Sequence, residues 1–526
     1  MAITRKAGNW QQYLKVSCAT VMAGALMVSC SGADKDAATG EEKDGKAKNA
    51  ASSAAEKKWD TGIYETMYRA PFDEASVTSV KDGVVPESSL LAKNMPLPYE
   101  LDPELNRGKG STDVHFAGRL SMAFGHEAAE AGKAFDDRLQ AGFLNSGHND
   151  DSSREVVWAV VRYDSPETAK EAAAAYGKAM ATVPDFISDP SEVSITPNGF
   201  QPLSDPAYAY DIKYENIDTQ STELATSYNE YVLLTWARVS EVSSAEGEQE
   251  LAAEYLKKQV ALLETLPMHK TDAGVGTNDG FAEFDPDGLW RYAVKIPKEY
   301  RDGYTPLPSS MNTRSLTSRW VEQDLMSAAL KAAGVETAFL NADVLMKARN
   351  AEAASSLTSA LVSYDIEDGW EEYVEPQDLP NTRCLSRDDT LNMVKLQCYT
   401  FYDDFVAYGS SSYSTDDEGQ DANETNANEV VDANGEESAN KESVQPKDEE
   451  EAKQRMSQML AAQLKIFEDA KKNPEGSEPK KDAEEPKSEG EKKPEDAAKK
   501  ETEETTNREE ETEAPASSTE REPNGK

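Results

Sequence analysis

Residues 224–240 read LATSYNEYVLLTWARVS, and this stretch decides the fold class. Two runs rich in aliphatic, aromatic and β-branched residues flank the pair Asn229-Glu230. Two turn-forming residues between such runs predict a tight β-hairpin. The same order of residue types returns later, because YDDFV at 402–406 matches YNEYV at 228–232. The sequence therefore predicts a second copy of the hairpin.

The residues around the first hairpin predict a mixed unit of strands and helices. An apolar, branched run from Val156 to Tyr163 is typical of a buried strand. It is followed by a capped helix start at 164–167, which predicts an Ala-rich helix to about Thr182. A strand at 208–214 comes next, and a helix at about 245–266 follows the hairpin. The apolar helix positions expected to face the core are Ala169, Ala172, Ala173, Tyr176 and Met180, then Leu251, Tyr255, Leu262 and Leu266.

The second half of the chain repeats this order. Residues 337–349 predict the buried strand, and residues 351–362 the Ala-rich helix. Strands are predicted at 384–385 and 393–402, and the second hairpin turns at 403–404 into a strand at 405–409. A closing helix is predicted at 451–470, with Met456, Met459, Leu460, Leu464 and Phe467 facing inward. Residues 126–144 and 316–333 are predicted helices in front of each copy, with Ala141–Leu144 inside the first.

The predicted fold class is α+β, with two similar sheet-plus-helix domains that arose by internal duplication. Each domain should contain an antiparallel or mixed sheet with helices on one face. The predicted N-terminal domain spans 59–268, a turn-rich linker spans 269–280, and the C-terminal domain spans 281–470 with an acidic insertion at 415–450.

Charge and composition exclude several classes of protein. The chain has 526 residues and a formal net charge of -43, so tight binding to nucleic acid, which needs clustered cations, is excluded. Residues 31–58 lack aromatic and branched aliphatic side chains and hold six acids and six bases, which predicts a flexible tether over 30–58. The acidic insertion has only Val430, Val431 and Val444 as bulky apolar residues, and the charged segment 471–526 has none, so both are predicted to be disordered.

The first thirty residues predict export and a lipid anchor. Residues 16–28 form a small, apolar run that is too short to cross a bilayer, so 1–29 reads as a signal peptide. The order Met27-Val28-Ser29-Cys30 resembles the lipobox of bacterial lipoproteins, although Met27 replaces the usual leucine. The resemblance implies that Cys30 becomes the lipid-bearing first residue. The expected location is the extracytoplasmic face of the cell membrane, with the membrane as partner through the acyl anchor.

Four further features resemble a known family. They are Trp59–Tyr64, the Ala141–Leu144 segment, Asp285-Pro286-Asp287-Gly288, and the late pair Cys384 and Cys398. Together they look like an uncharacterised two-domain lipoprotein family of mycolic-acid-containing actinobacteria. The long acidic insertion and tail depart from its compact pattern. The family has no established activity, so the resemblance implies location and architecture only.

The cysteines support export independently. Cys18 leaves with the signal peptide and Cys30 is lipidated, so Cys384 and Cys398 remain in a compartment where disulfides persist. A disulfide between them is expected. A free thiol pair or a metal site is the alternative, but the four histidines, His115, His126, His148 and His269, are far away in sequence.

Motifs for catalysis are sparse. His126-Glu127 begins like the HExxH zinc helix, but Glu130 stands where the second histidine belongs. Residues 146–151 contain Ser, His and Asp types without a nucleophile elbow, and favour a polar turn. Residues 285–288 lack the ligands of a calcium loop, and also favour a turn. No catalytic residue, cofactor or metal site is predicted.

Two functional hypotheses follow. The first is a noncatalytic, membrane-tethered protein that binds an unknown envelope ligand or protein, or assists assembly. The second is an envelope hydrolase with a site built from dispersed residues such as His126, Glu127 and His148. Convergence of these side chains in a pocket would favour the hydrolase, whereas an apolar cavity without histidine would favour binding.

Overall fold

The computed structural model describes residues 58–180, 195–197, 208–214, 219–240, 245–297, 300, 307–388, 393–415, 446 and 448–476. Several sequence predictions lie outside these described residues. They are the signal peptide, Cys30, the tether up to residue 57, most of the acidic insertion and the tail beyond residue 476.

The described residues of the N-terminal half form a seven-stranded antiparallel sheet. Its spatial order is β1-β2-β3-β7-β6-β5-β4. The strands are β1 (Ser111–Asp113), β2 (Leu139–His148), β3 (Arg154–Tyr163), β4 (Ile195–Pro197), β5 (Tyr208–Tyr214), β6 (Thr219–Tyr228) and β7 (Tyr231–Val239).

The described residues of the C-terminal half form a second seven-stranded antiparallel sheet, in the order β8-β9-β10-β14-β13-β12-β11. The strands are β8 (Ser309–Asn312), β9 (Thr337–Leu340), β10 (Val344–Lys347), β11 (Glu371–Tyr373), β12 (Arg383–Asp388), β13 (Met393–Tyr402) and β14 (Phe405–Ser414). Position by position, this order is the same as in the first sheet. The α+β fold class and the two similar domains are therefore confirmed.

Several helices occupy equivalent places in the two halves, whereas α1 and α2 belong to the first half. The N-terminal half has α1 (Val80–Lys93), α2 (Pro98–Leu101), α3 (Ser121–Phe124), α4 (His126–Lys133), α5 (Pro166–Met180) and α6 (Ala245–Leu263). The C-terminal half has α7 (Thr313–Thr317), α8 (Gln323–Ala333), α9 (Ala351–Glu367) and α10 (Glu449–Lys472). In each half, one helix follows the third strand along the chain and precedes the fourth. Helix α5 lies between β3 and β4, and α9 lies between β10 and β11. Another, α6 or α10, follows the last strand.

Helices cover both faces of each sheet, so the expectation of helices on one face was wrong. In β3, Val156 and Trp158 share a core with α1 and α6, whereas Val157 and Ala159 share a different core with α4 and α5. The second sheet likewise packs on α8 and α9 with one face and on α10 with the other. A strand buried on both faces is apolar at every position instead of alternating, which explains the continuous run.

Two segments have a different structure from the one predicted. Ala141–Leu144 belongs to strand β2 and not to a helix, because Phe143 and Leu144 enter cores on opposite faces of the sheet. Residues 337–349 contain two strands instead of one, with a turn at 341–343 between β9 and β10. Asn341 and Asp343 are residue types that favour this reversal. The strand equivalent to β3 is β10 alone.

The helix boundaries differ in smaller ways. Residues 316–333 are interrupted between α7 and α8, and α10 continues to Lys472, two residues into the predicted tail. In α6, Leu263 is buried, whereas the predicted Leu262 is half-buried. The positions predicted to face the core in α5 and α10 are all buried.

Each half has its own apolar cores, and polar contacts join the halves. Helix α1 packs against β2 of the first sheet and β8 of the second. Lys93 at its end donates from Nζ to the Ser310 hydroxyl at 2.8 Å. Arg314 pairs with Glu100 across the same junction at 3.0 Å.

Residues 59–72, which we call the strap, precede the first sheet but pack on the second half. Gln458 of α10 donates to the Asp60 carboxylate at 2.7 Å, and Lys465 donates to the Trp59 carbonyl at 3.1 Å. Farther along, the Tyr68 backbone N–H donates to the Asp469 carboxylate at 2.9 Å. The strap therefore follows α10 and completes one face of the second sheet.

Candidate functional site

His126 and Glu127 lie in the exposed first turn of α4. The His126 side chain is 77% exposed, and its Nε2 lies 3.8 Å from a carboxylate oxygen of Glu130. Lys133 also donates to Glu130, and this bond lowers the pKa of Glu130. The segment that resembles the start of a zinc helix is therefore a solvated helix start.

His148 ends strand β2 at the junction of the two halves. Its backbone exchanges two hydrogen bonds with Arg107, of 3.0 and 2.6 Å. Its Nδ1 lies 2.8 Å from the Asn149 carbonyl and 3.2 Å from the Ser152 hydroxyl. Burial lowers the pKa of His148. His148 and His126 share no hydrogen-bond or ion-pair partner among the described residues.

Arg107 connects the halves through backbone and side chain. The residues on either side of it pair with the second half, since Gly108 donates to the Val321 carbonyl at 2.7 Å and Gln323 donates to the Asn106 carbonyl at 2.9 Å. Its guanidinium pairs with Glu322, and with Asp368 at 3.3 Å. The surroundings of His148 thus hold the two sheets together.

A buried ionic cluster that sequence analysis missed lies at the end of β3. Arg162 and Glu87 are both 0% exposed, and their side chains are 3.3 Å apart. Arg162 also donates to the His269 carbonyl at 2.7 Å, and its Nη1 lies 3.1 Å from His269 Nδ1. This cluster fixes helix α1 and the linker after α6 to the sheet. The only sequence signal was an arginine at the end of an apolar run.

The late cysteines lie opposite each other on β12 and β13. Cys384 and Cys398 are register partners, and their sulfur atoms are 1.97 Å apart, at disulfide distance. Both are buried in the core shared with α10. The Tyr373 hydroxyl lies 3.3 Å from Cys398 Sγ.

The paired acids are in turns. Gly288 donates its backbone N–H to the Asp285 carbonyl at 3.1 Å, and Asp285 accepts from the Trp290 backbone N–H at 3.0 Å. Burial raises the pKa of Asp285 to about 6. Asp403-Asp404 forms the tight turn between β13 and β14. Within the described ranges, no three His, Cys, Asp or Glu side chains are grouped as a metal site requires.

A polar cleft opens where the strap, the loop after β11 and the start of α10 meet. It is open to solvent and has a volume of about 540 Å³. It contains charged and polar residues but no histidine, and the lining residues are Asp60, Pro376, Gln377, Glu449, Glu450, Lys453, Gln454 and Ser457. The described lining thus contains neither histidine of the hydrolase hypothesis.

Gln377 organises the wall of this cleft. Its side chain accepts from the Asp60 backbone N–H at 2.6 Å and donates to the Asp60 carbonyl at 2.8 Å. It also donates to the Ser457 hydroxyl at 2.9 Å, and Ser457 in turn donates to the buried Glu375. The first residues of the strap are thus fixed to the C-terminal half at the cleft.

Two carboxyl groups at this cleft, those of Asp60 and Glu449, have lowered pKa values, which favours their charged form. The backbone N–H of Gly62 and the amide of Gln458 lower the pKa of Asp60. A hydrogen bond from Lys453 lowers the pKa of Glu449. Ionised carboxylates beside amides suit recognition of a cationic or hydrogen-bond-donating ligand.

Comparison with protein families matches both halves. The model described as the N-terminal domain of unknown function DUF7373 matches residues 74–276, and the model described as its C-terminal domain matches residues 311–427. The chain belongs to this uncharacterised two-domain family. The descriptions of its two models give no activity. The regions that the models match overlap the two sheets described above. No curated protein matches the chain.

None of the described helices is long and apolar enough to cross a lipid bilayer.

Proposed function

We propose that this member of the DUF7373 family is a lipoprotein on the extracytoplasmic face of the cell membrane, of the kind found in mycolic-acid-containing actinobacteria. It is anchored at Cys30 and binds an envelope ligand or partner protein without catalysis. The lipobox-like residues 27–30 and the cysteine pair at disulfide distance support export and anchoring.

The attachment of the strap carries the proposal. Residue 59 is the first after the predicted tether, and Trp59 and Asp60 are bonded to Lys465, Gln458 and Gln377. A tether that starts at Cys30 would therefore join the folded protein at its C-terminal half, beside the polar cleft. This arrangement suits a protein that holds a ligand near the membrane.

The hydrolase alternative has no comparable support. His126 is exposed on α4, whereas the backbone and side chain of His148 are engaged at the junction. The ligand class that fits the cleft is a cationic or donor-rich group, since its wall presents Asp60, Glu449 and amide side chains.

The anchor is tested by fractionating cells that express the wild type or Cys30→Ala. We expect the wild type in the membrane fraction, with a mature N-terminus at Cys30 that carries the mass of acyl chains. Cys30→Ala should be released in soluble form. An unacylated mature wild type, or a membrane-bound Cys30→Ala variant, would contradict the anchor.

The binding role is tested by mass spectrometry of what copurifies with the detergent-extracted wild type. The charge-reversed variant Glu450→Lys should lose the specific ligand or partner, whereas Glu352→Lys, an exposed acid on α9, should retain it. Equal recovery from both variants would contradict binding at the cleft.

A further inference from the structure

Buried polar groups without partners are concentrated where the strap crosses the second sheet. Asp343, in the turn between β9 and β10, is 2% exposed, and neither of its carboxylate oxygens has a hydrogen-bond partner in the described part of the chain. Arg69 of the strap is 8% exposed, and its Nε and Nη2 likewise have none. Buried polar atoms are normally bonded to protein or to ordered water.

These two residues are neighbours that do not touch. The charges of Arg69 and Asp343 interact, yet no ion pair joins them within the described residues. The Arg69 guanidinium is fixed elsewhere, because Nη1 donates to the Trp290 carbonyl at 3.0 Å and the group stacks on the Trp290 ring at 4.4 Å. These two contacts hold the guanidinium against Trp290.

The turn that carries Asp343 is equally fixed. Asn341 donates its backbone N–H to the Asp343 carbonyl at 2.8 Å, and Ala342 donates to the Val294 carbonyl at 3.2 Å. The side-chain Nδ2 of Asn341, which is 4% exposed, also lacks a partner in the described residues. Five polar atoms are therefore without a hydrogen-bond partner in the described residues, two on Arg69 and three on Asn341 and Asp343 of the same turn.

We propose that Arg69, Asn341 and Asp343 form an internal water-binding site, and that the strap is released from the second sheet when Asp343 becomes charged. Water can accept from the guanidinium and the amide while it donates to the carboxyl group, so at least two molecules satisfy the five atoms. When Asp343 loses its proton, a negative charge without a direct ion pair remains buried. This destabilises the closed strap.

Among the described residues, the other charged and titratable groups around the site do not compensate this charge. On the strap, Tyr64 interacts electrostatically with Asp343. Glu65 interacts in the same way with Arg69, and its carboxylate pairs with the Lys295 ammonium at 3.4 Å. From α10, Arg455 stacks on the Tyr300 ring at 4.4 Å. In the described part of the chain, Arg69 is therefore the cation that acts on Asp343.

The direction of the pH dependence follows from burial. Burial raises the pKa of Asp343 to about 7. The backbone N–H groups of Asp343 and Val294, which are near the carboxyl group but outside hydrogen-bond geometry, and Arg69 oppose this shift. A carboxyl group whose pKa is raised in the closed state stabilises that state fully below its ordinary pKa. This stabilisation is lost as pH rises from about 4 to about 7.

A crystal structure at high resolution tests the water. We expect density peaks within hydrogen-bond distance of Arg69 and Asp343. A dry gap, or a direct Arg69–Asp343 ion pair, would overturn the water-binding site.

Hydrogen exchange of the strap tests its release. After correction for intrinsic exchange, protection of residues 59–70 in the wild type should fall roughly forty-fold between pH 5 and pH 7, since each pKa unit is tenfold. Peptides from α5 serve as an internal control and should change little.

Two variants test whether Asp343, and not another titrating group, causes the pH dependence of strap protection. Asp343→Asn should abolish most of the fall in protection, whereas Asn341→Ala should keep it, because that variant retains the carboxyl group. If Asp343→Asn does not fold, the proposal is tested by the change in wild-type protection between pH 5 and pH 7, measured in the strap and compared with that in α5. Strap protection that is independent of pH in the wild type, or unchanged pH dependence in a folded Asp343→Asn, would overturn the proposal.

Discussion

Arg162 and Lys347 occupy matching positions in the two sheets but have different surroundings. Arg162 on β3 is the register partner of Tyr231, and Lys347 on β10 is the register partner of Phe405, the equivalent hairpin residue. Arg162 is fully buried with Glu87 and His269, whereas Lys347 is exposed and lies 5.7 Å from the Phe405 ring centroid. The same sheet position is thus buried or solvated according to the segments that cover it.

The comparison shows where the two copies have diverged. Their strand order is the same, but helix α1 and the linker after α6 cover one face of the first sheet. The strap and the Cys384–Cys398 pair reinforce the corresponding face of the second sheet. Divergence has therefore affected the covering segments more than the sheets.

The largest effect is expected from removing the buried cation. Arg162→Ala removes the guanidinium from the buried cluster and leaves the Glu87 side chain with only backbone N–H groups and His269 beside it, so the free energy of unfolding of the N-terminal half should fall by about 3–5 kcal/mol. Lys347→Ala is the matched control and should change stability by about 0.5 kcal/mol or less. Native-state hydrogen exchange of β3 and β10 peptides in a urea series measures both values. Similar losses in the two variants would contradict the contrast.

Next in size is the cysteine pair, which belongs to the second sheet alone. Replacing Cys384 and Cys398 by alanine removes a cross-link over 14 residues, and should lower the free energy of unfolding of that sheet by about 3 kcal/mol. Exchange of β12 and β13 peptides in urea reports the change. A reducing agent should destabilise the wild type but not the double variant. A wild type that is insensitive to reduction would argue against the disulfide.

Much of the fold could be predicted from sequence. The hairpins, the Ala-rich helices and the closing helices follow local patterns, and the structure confirms them. Their order was enough to predict two similar domains. Cys384 and Cys398 were predicted as a pair because no other cysteine remains after export.

Other features depend on contacts between distant segments. Ala141–Leu144 looks helical by composition, but strand pairing on both sides of β2 determines its conformation. The strap lies about 400 residues from its partners on α10, as in the bond from Tyr68 to Asp469. Arg162, Glu87 and His269 come from three separated segments. No local pattern in the sequence links such residues.

A smaller effect is expected from a buried acid of the first sheet. Glu223 is 8% exposed, and burial raises its pKa to about 7. Its stabilising effect as a neutral group is complete below about pH 4.5 and is lost as pH rises through 7. Glu223→Gln should therefore stabilise the N-terminal half by about 2 kcal/mol at pH 8 and have little effect at pH 4.

Urea unfolding of this variant at both pH values provides the measurement. The exposed Glu254→Gln on α6 is the control and should show no such difference. A gain for Glu223→Gln that is equal at the two pH values would rule out ionisation of Glu223 as its cause.

The smallest effect is expected at the junction between the halves. Arg314 and Glu100 are 31% and 22% exposed, so solvent screens their attraction. A double-mutant cycle with Arg314→Ala and Glu100→Ala should give a coupling free energy below about 1 kcal/mol. A value of several kcal/mol would mean that this single pair dominates the junction.

The central claim is that two similar sheets have separate cores, and that the strap belongs to the second although it precedes the first. Tyr68→Ala tests this most directly, since Tyr68 is 3% exposed, packs 4.7 Å from Tyr292 and joins the core on α10. Hydrogen exchange should show lost protection in β13, β14 and α10, with β2, β3 and β7 unchanged. Lost protection in the first sheet, with the second unaffected, would contradict the claim.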